Sequence, residues 1–152
     1  MEFIERDTFH VCGYAVETTA AQNDADISAL YQDFFDADKE IVLLGLGGSR
    51  KGYYGLSWYT QGHEKYCYLL GIEVGPDNEP PVGTQIKTLV RTLYAVARYS
   101  RDKDIMEAWN EFFFSDIPNE GYAPNAEYNL YFEYYPGDVH GDYELWVPVV
   151  KA

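Results

Sequence analysis

Two stretches of the sequence carry apolar residues at the spacing of an amphipathic helix. In the first stretch the apolar positions recur at i, i+3, i+4, i+7 and i+8, and they are Ile27, Leu30, Tyr31, Phe34 and Phe35. The second stretch has a similar face, made of Ile105, Met106, Trp109, Phe112 and Phe113. Because residues three and four apart share one face of a helix, the pattern predicts a helix that ends near Asp38 and another that begins near Asp102.

The segments around each helix alternate between apolar and polar residues and are rich in β-branched and aromatic side chains, which is typical of strands. The predicted strands are 3–6, 9–18, 53–60 and 65–74 in the first half, and 84–90, 92–99, 128–135 and 143–150 in the second. Turn residues at 61–64 and 136–138 separate the last two strands of each half, and the Pro- and Gly-rich stretch 75–81 divides the halves.

This order of elements, ββαββ twice, predicts an α+β fold of two antiparallel units that are related by a pseudo-twofold axis. We expect one domain over residues 1–152, with repeats at about 1–75 and 82–152. A duplicated sheet of this kind leaves a cleft between its halves, and such clefts are preferred ligand sites.

Bulk composition narrows the class of protein. Hydrophobic residues make up 47% of the chain, which excludes intrinsic disorder. The first residues lack a basic segment followed by an apolar run, and the longest aliphatic run, 41–46, is too short to span a bilayer. We therefore expect a cytoplasmic protein that is not attached to a membrane, in which Cys12 and Cys67 are free thiols.

The chain is strongly acidic and rich in tyrosine. Its formal net charge of -14 repels the phosphates of nucleic acids, so no direct nucleic-acid binding is expected. The same charge favours cationic ligands or basic protein surfaces, although it could serve solubility alone. Aromatic residues make up 17% of the chain and include 15 Tyr, a side chain that lines half-wet clefts as readily as it packs in cores.

Motifs for the common catalytic chemistries are absent from the sequence. The glycine-rich segment 45–52 resembles a phosphate loop, but Arg50 stands at the last glycine position and Tyr53 follows Gly52 where a P-loop has Lys, so a simple turn is predicted. The sequence around Ser57 lacks the second glycine of a nucleophile elbow. His10, His63 and His140 have no metal-ligand spacing around them. We expect no cofactor, no metal and no dedicated nucleophile.

One acidic residue stands in the middle of a predicted strand. Alternation places Asn129, Tyr131, Glu133 and Tyr135 on one face, although acidic residues are depleted in strands. From the residues alone, Glu133 is either a solvent-facing glutamate or a partly desolvated counter-ion for a cation. In the second case an ion pair at 4 Å contributes about 4 kcal/mol at an effective dielectric near 20, and each stacked aromatic ring about 0.5–2 kcal/mol.

The second half of the chain resembles the GyrI-like effector-binding domain in segments 94–99, 118–122, 132–135 and 145–149 and in the helix that carries Trp109. That domain also forms the ligand-sensing part of AraC-type and other multidrug-responsive transcription activators. The resemblance implies a duplicated α+β sheet over the whole chain, and it matches Glu133 to the buried acidic residue used against cationic drugs. Trp109 matches a tryptophan of the second helix, whereas Arg98 stands where many members have histidine. The activators carry a separate DNA-binding part, and this chain has no residues to spare for one. We therefore expect a standalone binding module.

The remaining candidates for the site are aromatic. Tyr54 and Trp58 share a face of the third strand and could form a cage beside Glu133, with Trp146 reaching the cleft from the last strand. Trp109, Phe113 and Tyr94 could equally be core residues. The predicted ligand-binding set is Glu133, Tyr131, Trp109, Tyr54, Trp58, Phe113, Tyr94 and Trp146.

The predicted function is binding of planar, cationic aromatic small molecules in an aromatic cleft, and the sequence indicates no particular protein partner. Two alternatives stay open. Some GyrI-like proteins hydrolyse strained electrophiles, and the resemblance to them implies that Glu133 could be a general base. Other members inhibit gyrase, and the resemblance to those implies an acidic inhibitor that binds a protein.

Overall fold

Each alternating segment of the sequence forms a strand, and both amphipathic segments form helices, in a computed structural model that describes residues 1–46, 52–61 and 64–152. The first half contains β1 (Glu2–Arg6), β2 (Phe9–Thr18), α1 (Asn23–Asp36), α2 (Lys39–Leu44), β3 (Tyr53–Gln61) and β4 (Lys65–Val74). The second half contains β5 (Gln85–Leu89), β6 (Thr92–Tyr99), α3 (Ile105–Glu111), a π-helical turn (Phe112–Asp116), α4 (Ile117–Asn119), β7 (Tyr122–Pro124), β8 (Tyr131–Tyr135) and β9 (Tyr143–Lys151).

The structure differs from the prediction at short elements. Helix α2 lies where a connection was predicted, because Asp38 adopts a left-handed conformation (φ 57°) that ends α1 and starts a new turn. Leu43 anchors α2 by complete burial. Strand β8 begins at Tyr131, later than predicted, and β7 was not predicted. Most of the predicted glycine-rich turn, 47–51, and part of the predicted hairpin turn, 62–63, lie outside the described residues.

Within the described residues, the strands form one antiparallel sheet in the order β1-β6-β9-β8-β3-β4-β2-β5, with β7 paired to β9. The order reads the same from either end once each strand is exchanged for its counterpart in the other half, and β3 and β8 form the central pair. The first strand of each half pairs with the second strand of the other: β1 with β6, and β5 with β2. The predicted duplicated α+β fold is therefore confirmed.

The two faces of the sheet carry different cores. One face holds a cluster that we call the back core, made of Phe9, Val11, Tyr54, Leu56, Leu69, Leu89, Tyr94, Val96, Leu130, Phe132 and Trp146. The other face is covered by helices: α1 buries Phe34 against β2 and β4, and the π-helical turn after α3 buries Phe112 against residues of β6 and β9. Among the described residues, no helix has the length and apolar character needed to cross a membrane.

Candidate functional site

A cavity of about 910 Å³ lies between α1 and α3, above the central strands β3 and β8. Its volume is in the range of sites for drug-sized ligands. Nearly half of the lining residues are aromatic, and these are Tyr31, Phe35, Trp58, Tyr59, Tyr66, Tyr68, Trp109, Phe113, Phe114, Tyr131 and Tyr135. The cavity is therefore an aromatic cleft in the place that the duplicated sheet predicts.

The carboxylate of Glu133 lies in this cavity and accepts hydrogen bonds from three directions. Oε1 accepts from Tyr68 Oη at 2.7 Å and from Tyr135 Oη at 3.2 Å. Oε2 accepts from Trp109 Nε1 of helix α3 at 3.0 Å. All three donors are neutral, and among the described residues no Lys, Arg or His forms an ion pair with Glu133. The carboxylate is held by hydrogen bonds but has no counter-ion among the described residues.

Burial raises the pKa of Glu133 above its ordinary value, and the hydrogen bonds from Trp109, Tyr68 and Tyr135 offset part of that rise. Burial and the nearby Glu133 charge also raise the pKa values of Tyr31, Tyr68 and Tyr135. These phenols are therefore neutral donors at physiological pH. Tyr31 Oη lies 2.5 Å from Tyr68 Oη, so the network extends from the carboxylate to helix α1.

The surroundings of the cavity are acidic. Besides Glu133 the lining includes Asp24 and Asp36, and it includes no Lys or Arg among the described residues. Residues 23–36 contain four Asp and residues 105–116 contain three acidic residues, with no Lys or Arg in either segment. Lysines just outside the two segments pair with Asp33 and Glu111. Both segments that form the helical walls are therefore negatively charged, and Asp24 and Asp36 bring part of that charge to the cavity lining.

The mouth of the cavity is rimmed by exposed apolar side chains. Phe35, Tyr59, Met106 and Phe114 all line the cavity, and Phe114 is 72% exposed. The π-helical turn explains two of the aromatic positions: it brings Phe113 and Phe114 to the cavity while Phe112 stays buried. π-helical turns of this kind occur frequently at functional sites.

The structure brings together part of the predicted set. Glu133, Tyr131, Trp109, Phe113 and Trp58 line the cavity, and the Phe113 and Tyr131 rings lie 5.5 Å apart. Trp58 also packs against the back core, and Lys87 Nζ lies 4.0 Å from its ring centre. Arg98 is exposed on β6, pairs with Glu144 at 2.9 Å and does not line the cavity.

Tyr54, Tyr94 and Trp146 belong to the predicted ligand-binding set but do not line the cavity. The expected position of Tyr54 beside Glu133 and the expected reach of Trp146 into the cleft are therefore wrong, and Tyr94 is the core residue that the sequence left open. All three lie in the back core, on the opposite face of the sheet. Because Gly55 pairs with Glu133, alternation along β3 turns Tyr54 away from the carboxylate. Tyr54 Oη instead accepts a hydrogen bond from Arg6 Nη2 at 2.9 Å and donates to Glu73 Oε1 at 3.1 Å.

Sequence reasoning missed several lining residues that reach the cavity from α1 and β4. Tyr31 and Phe35 belong to the apolar face predicted for the first helix, but neither is in the predicted ligand-binding set. Tyr66 and Tyr68 share a face of β4 by alternation. Gly55 in the middle of a strand was a further signal, since glycine there often marks a close approach of another group.

In the described parts of the chain, no group of three or more His, Cys, Asp or Glu side chains is arranged to hold a metal ion. Within residues 1–46, 52–61 and 64–152, the arrangement offers a carboxylate without an ion-pair partner, neutral hydrogen-bond donors and aromatic walls.

Comparisons with known proteins agree with this architecture. The structure of SAV2435 bound to tetraphenylphosphonium is similar with a TM-score of 0.78 and 16% identity, over 98% of this chain and 93% of that one. A putative bacterial transcription regulation protein from Staphylococcus aureus MU50 has a TM-score of 0.72 and 16% identity, over 97% and 96%. The integron cassette protein VCH_CASS2 from Vibrio cholerae has a TM-score of 0.69 and 17% identity, over 98% and 95%.

No curated protein matches the sequence. The family model of Cass2, described as an integron-associated effector binding protein, matches residues 2–149. The chain therefore belongs to the Cass2 family of integron-associated effector binding proteins, a GyrI-like family, as the resemblance in its second half implied.

Proposed function

We propose that this chain binds aromatic cations in the cavity between α1 and α3, with Glu133 as their counter-ion. The observation that carries the proposal is a carboxylate that has no cationic partner in the part of the chain that the structure describes: its hydrogen-bond donors are Tyr68, Tyr135 and Trp109, and all of them are neutral. Membership of an effector-binding family supports a ligand site. The tetraphenylphosphonium bound to SAV2435, a protein with the same fold, supports the cationic class of ligand.

The energetics favour a cation over a neutral ligand of the same shape. The cost of burying the carboxylate is already present in the empty protein, so an incoming cation gains the attraction without desolvating Glu133 again. That attraction is on the order of 4 kcal/mol at 4 Å and an effective dielectric near 20. Rings such as Trp109 and Tyr131 each add about 0.5–2 kcal/mol when they face the cation. Neither interaction demands one ligand shape, so we expect a broad range of flat or multi-ring cations.

The electric field around the cavity supports the same ligand class. The acidic walls and a net charge of -14 raise the local concentration of cations at the mouth. They also oppose the phosphates of nucleic acids, so we propose that the chain itself does not bind DNA or RNA. It would act as a ligand-sensing or sequestering module.

Titration with tetraphenylphosphonium chloride tests the proposal, with quenching of tryptophan fluorescence as the readout. We expect saturable binding in the low micromolar range on the order of -8 kcal/mol, weakened at least about tenfold in Glu133→Gln, which corresponds to about 1.4 kcal/mol. Glu127→Gln is the matched control, because Glu127 is exposed and lies outside the cavity lining but its removal changes the net charge equally.

Triphenylphosphine oxide, a neutral molecule with similar rings, separates the charge from the apolar contacts. We expect it to bind more weakly than tetraphenylphosphonium to the wild-type protein and equally well to the wild-type protein and Glu133→Gln. Equal affinity of Glu133→Gln and the wild-type protein for tetraphenylphosphonium would contradict the counter-ion role.

The same carboxylate supports a second candidate, hydrolysis of strained electrophiles. A raised pKa brings Glu133 closer to the range useful for a general base, and the hydroxyl groups of Tyr68 and Tyr135 lie within hydrogen-bond distance of it. Incubation with an aromatic epoxide such as styrene oxide tests this. Turnover that disappears in Glu133→Gln and persists in Glu127→Gln would establish the enzyme, and absence of turnover by the wild-type protein would exclude it for this substrate class.

A further inference from the structure

Gly55 and Glu133 occupy equivalent positions in the two halves of the sheet and face each other across its central pair of strands. They are paired directly in the register of β3 with β8. Moving outwards, Gly55 pairs with Leu70 and then Tyr14, whereas Glu133 pairs with Leu145 and then Ala97, through strands that correspond in the two halves. The pseudo-twofold axis of the sheet therefore passes between a carboxylate-bearing residue and a residue without a side chain.

The space beside Gly55 is filled by Tyr68. A Cβ atom added at Gly55 would lie 2.0 Å from Tyr68 Oη and 2.9 Å from Glu133 Oε1. Atoms at the first of these distances overlap, so any other residue at this position would displace the phenol or the strand. Tyr68 Oη makes the shortest of the three hydrogen bonds to Glu133, at 2.7 Å.

The equivalent tyrosine of the other half behaves differently. Tyr143 stands two residues before Leu145, as Tyr68 stands two residues before Leu70. Its hydroxyl group donates to the main-chain carbonyl of Lys103 at 2.7 Å and makes no hydrogen bond to Gly55 or Glu133. The phenol of Tyr68 therefore reaches Glu133 at the axis, whereas the phenol of Tyr143 does not. Tyr68 belongs to the half that contributes the glycine, Gly55, to the axis pair.

We propose that Gly55 is a positioning residue of the cation site, because its missing side chain admits the hydroxyl group of Tyr68 to the Glu133 carboxylate. The inference rests on the proposed function, since it assigns the arrangement to the counter-ion of that site. Its consequence is that Gly55 sets the lowest pH at which the site binds a cation. Without the hydrogen bond from Tyr68, the carboxylate takes up a proton more readily and stops acting as a counter-ion at a higher pH.

Few other groups interfere with a titration of Glu133. Among the described residues, the side chains whose pKa values respond to its charge are phenols with raised pKa values, namely Tyr31, Tyr66, Tyr68, Tyr135 and Tyr143. Asp24, Asp36 and His140 line the same cavity. Because the phenols stay neutral below pH 9, a site-specific readout of the Glu133 carboxyl group identifies its titration directly.

The experiment measures that titration by NMR of protein labelled with ¹³C in the glutamate side chains, with the resonance assigned by its absence in Glu133→Gln. Tetraphenylphosphonium affinity is measured over the same pH range. Gly55→Ala and Tyr68→Phe should each move both the carboxyl titration and the loss of binding to higher pH, by similar amounts. The double variant should shift no further than either single variant, because both substitutions remove the same hydrogen bond.

Leu56→Ala is the control for a purely structural effect. Leu56 is the next residue of β3, is fully buried in the back core and contacts neither Tyr68 nor Glu133 through a hydrogen bond. It should lower stability and leave the titration of Glu133 unchanged. If Gly55→Ala does the same, or if the shifts of Gly55→Ala and Tyr68→Phe add in full, Gly55 has only a packing role and the inference is overturned.

If Gly55→Ala does not fold, the other variants decide. Recovery of folding in Gly55→Ala/Tyr68→Phe, with the Tyr68→Phe titration moved to higher pH, supports the inference. An unchanged titration in Tyr68→Phe overturns it. The NMR titration uses the protein without ligand, so failure of the positioning inference is distinguishable from failure of Glu133 as the counter-ion, which appears only in the affinity of Glu133→Gln.

Discussion

Glu133→Gln should make the empty protein more stable than the wild type at neutral pH, even though we expect it to weaken cation binding. In the wild type, burial raises the pKa of Glu133, so the folded chain holds this proton more tightly than the unfolded chain does. Stability is therefore greatest below the unfolded pKa and decreases as pH rises through the folded pKa. Glutamine removes this dependence and keeps the shape of the side chain.

The magnitude follows from linkage. Between the unfolded and the folded pKa of Glu133, the wild type should lose up to about 1.4 kcal/mol of unfolding free energy per pH unit relative to the variant. For a chain of this length that corresponds to roughly 3–5 °C in Tm per pH unit. Hydrogen bonding does not cancel the gain, because the amide oxygen can accept from Trp109 Nε1 while its nitrogen donates to a rotated hydroxyl group of Tyr68 or Tyr135.

Thermal unfolding followed by circular dichroism from pH 4 to pH 8 provides the assay, with Glu127→Gln as the control for net charge. The Tm difference between Glu133→Gln and the wild type should grow with pH and then level off. Saturating tetraphenylphosphonium should reverse its sign, because the cation stabilises the ionised carboxylate. A Tm difference that is constant across this range, or that matches the one given by Glu127→Gln, would refute the argument from burial.

Two further predictions concern the back core and the field around the mouth. Tyr54→Phe removes the hydrogen bonds to Arg6 and Glu73 and should lower the free energy of unfolding, measured in urea, by about 1–3 kcal/mol. Tetraphenylphosphonium affinity should stay unchanged, and a loss of affinity would show that Tyr54 contributes to the site. Raising NaCl from about 50 to about 500 mM should slow association of tetraphenylphosphonium several-fold in stopped-flow fluorescence, because salt screens its attraction to the acidic walls. Dissociation should stay nearly constant. An association rate independent of salt would show that those walls do not steer the ligand.

The order of elements could be predicted from the sequence because its signals are local. The apolar face from Ile27 to Phe35 is complete in itself, and the strands alternate clearly enough to show a repeat. Helix α2 was not predictable in the same way. It depends on a left-handed aspartate, Asp38, and on burial of Leu43 against the rest of the fold, and neither appears in a local pattern.

The site was predictable only in part, because its contacts depend on the register between strands. Alternation placed Tyr131, Glu133 and Tyr135 on one face, and the structure brings all three to the cavity. Alternation within β3 does not determine which face of that strand lies on the same side of the sheet as the Glu133 side chain. The pairing of Gly55 with Glu133 fixes that choice, and a shift of one residue would have turned Tyr54 inwards as expected.

The chemistry of the site explains part of the high tyrosine content of the chain. An aromatic cavity lined with phenylalanine would leave a buried carboxylate without donors, and the carboxyl group would then hold its proton at neutral pH. A cavity with lysine or arginine would keep the carboxylate ionised but would already contain its counter-ion. Tyr68 and Tyr135, together with Trp109, supply hydrogen bonds without charge, and they are also part of the aromatic wall. They stabilise the ionised form of Glu133 and, under the proposed function, leave its charge for a cationic ligand.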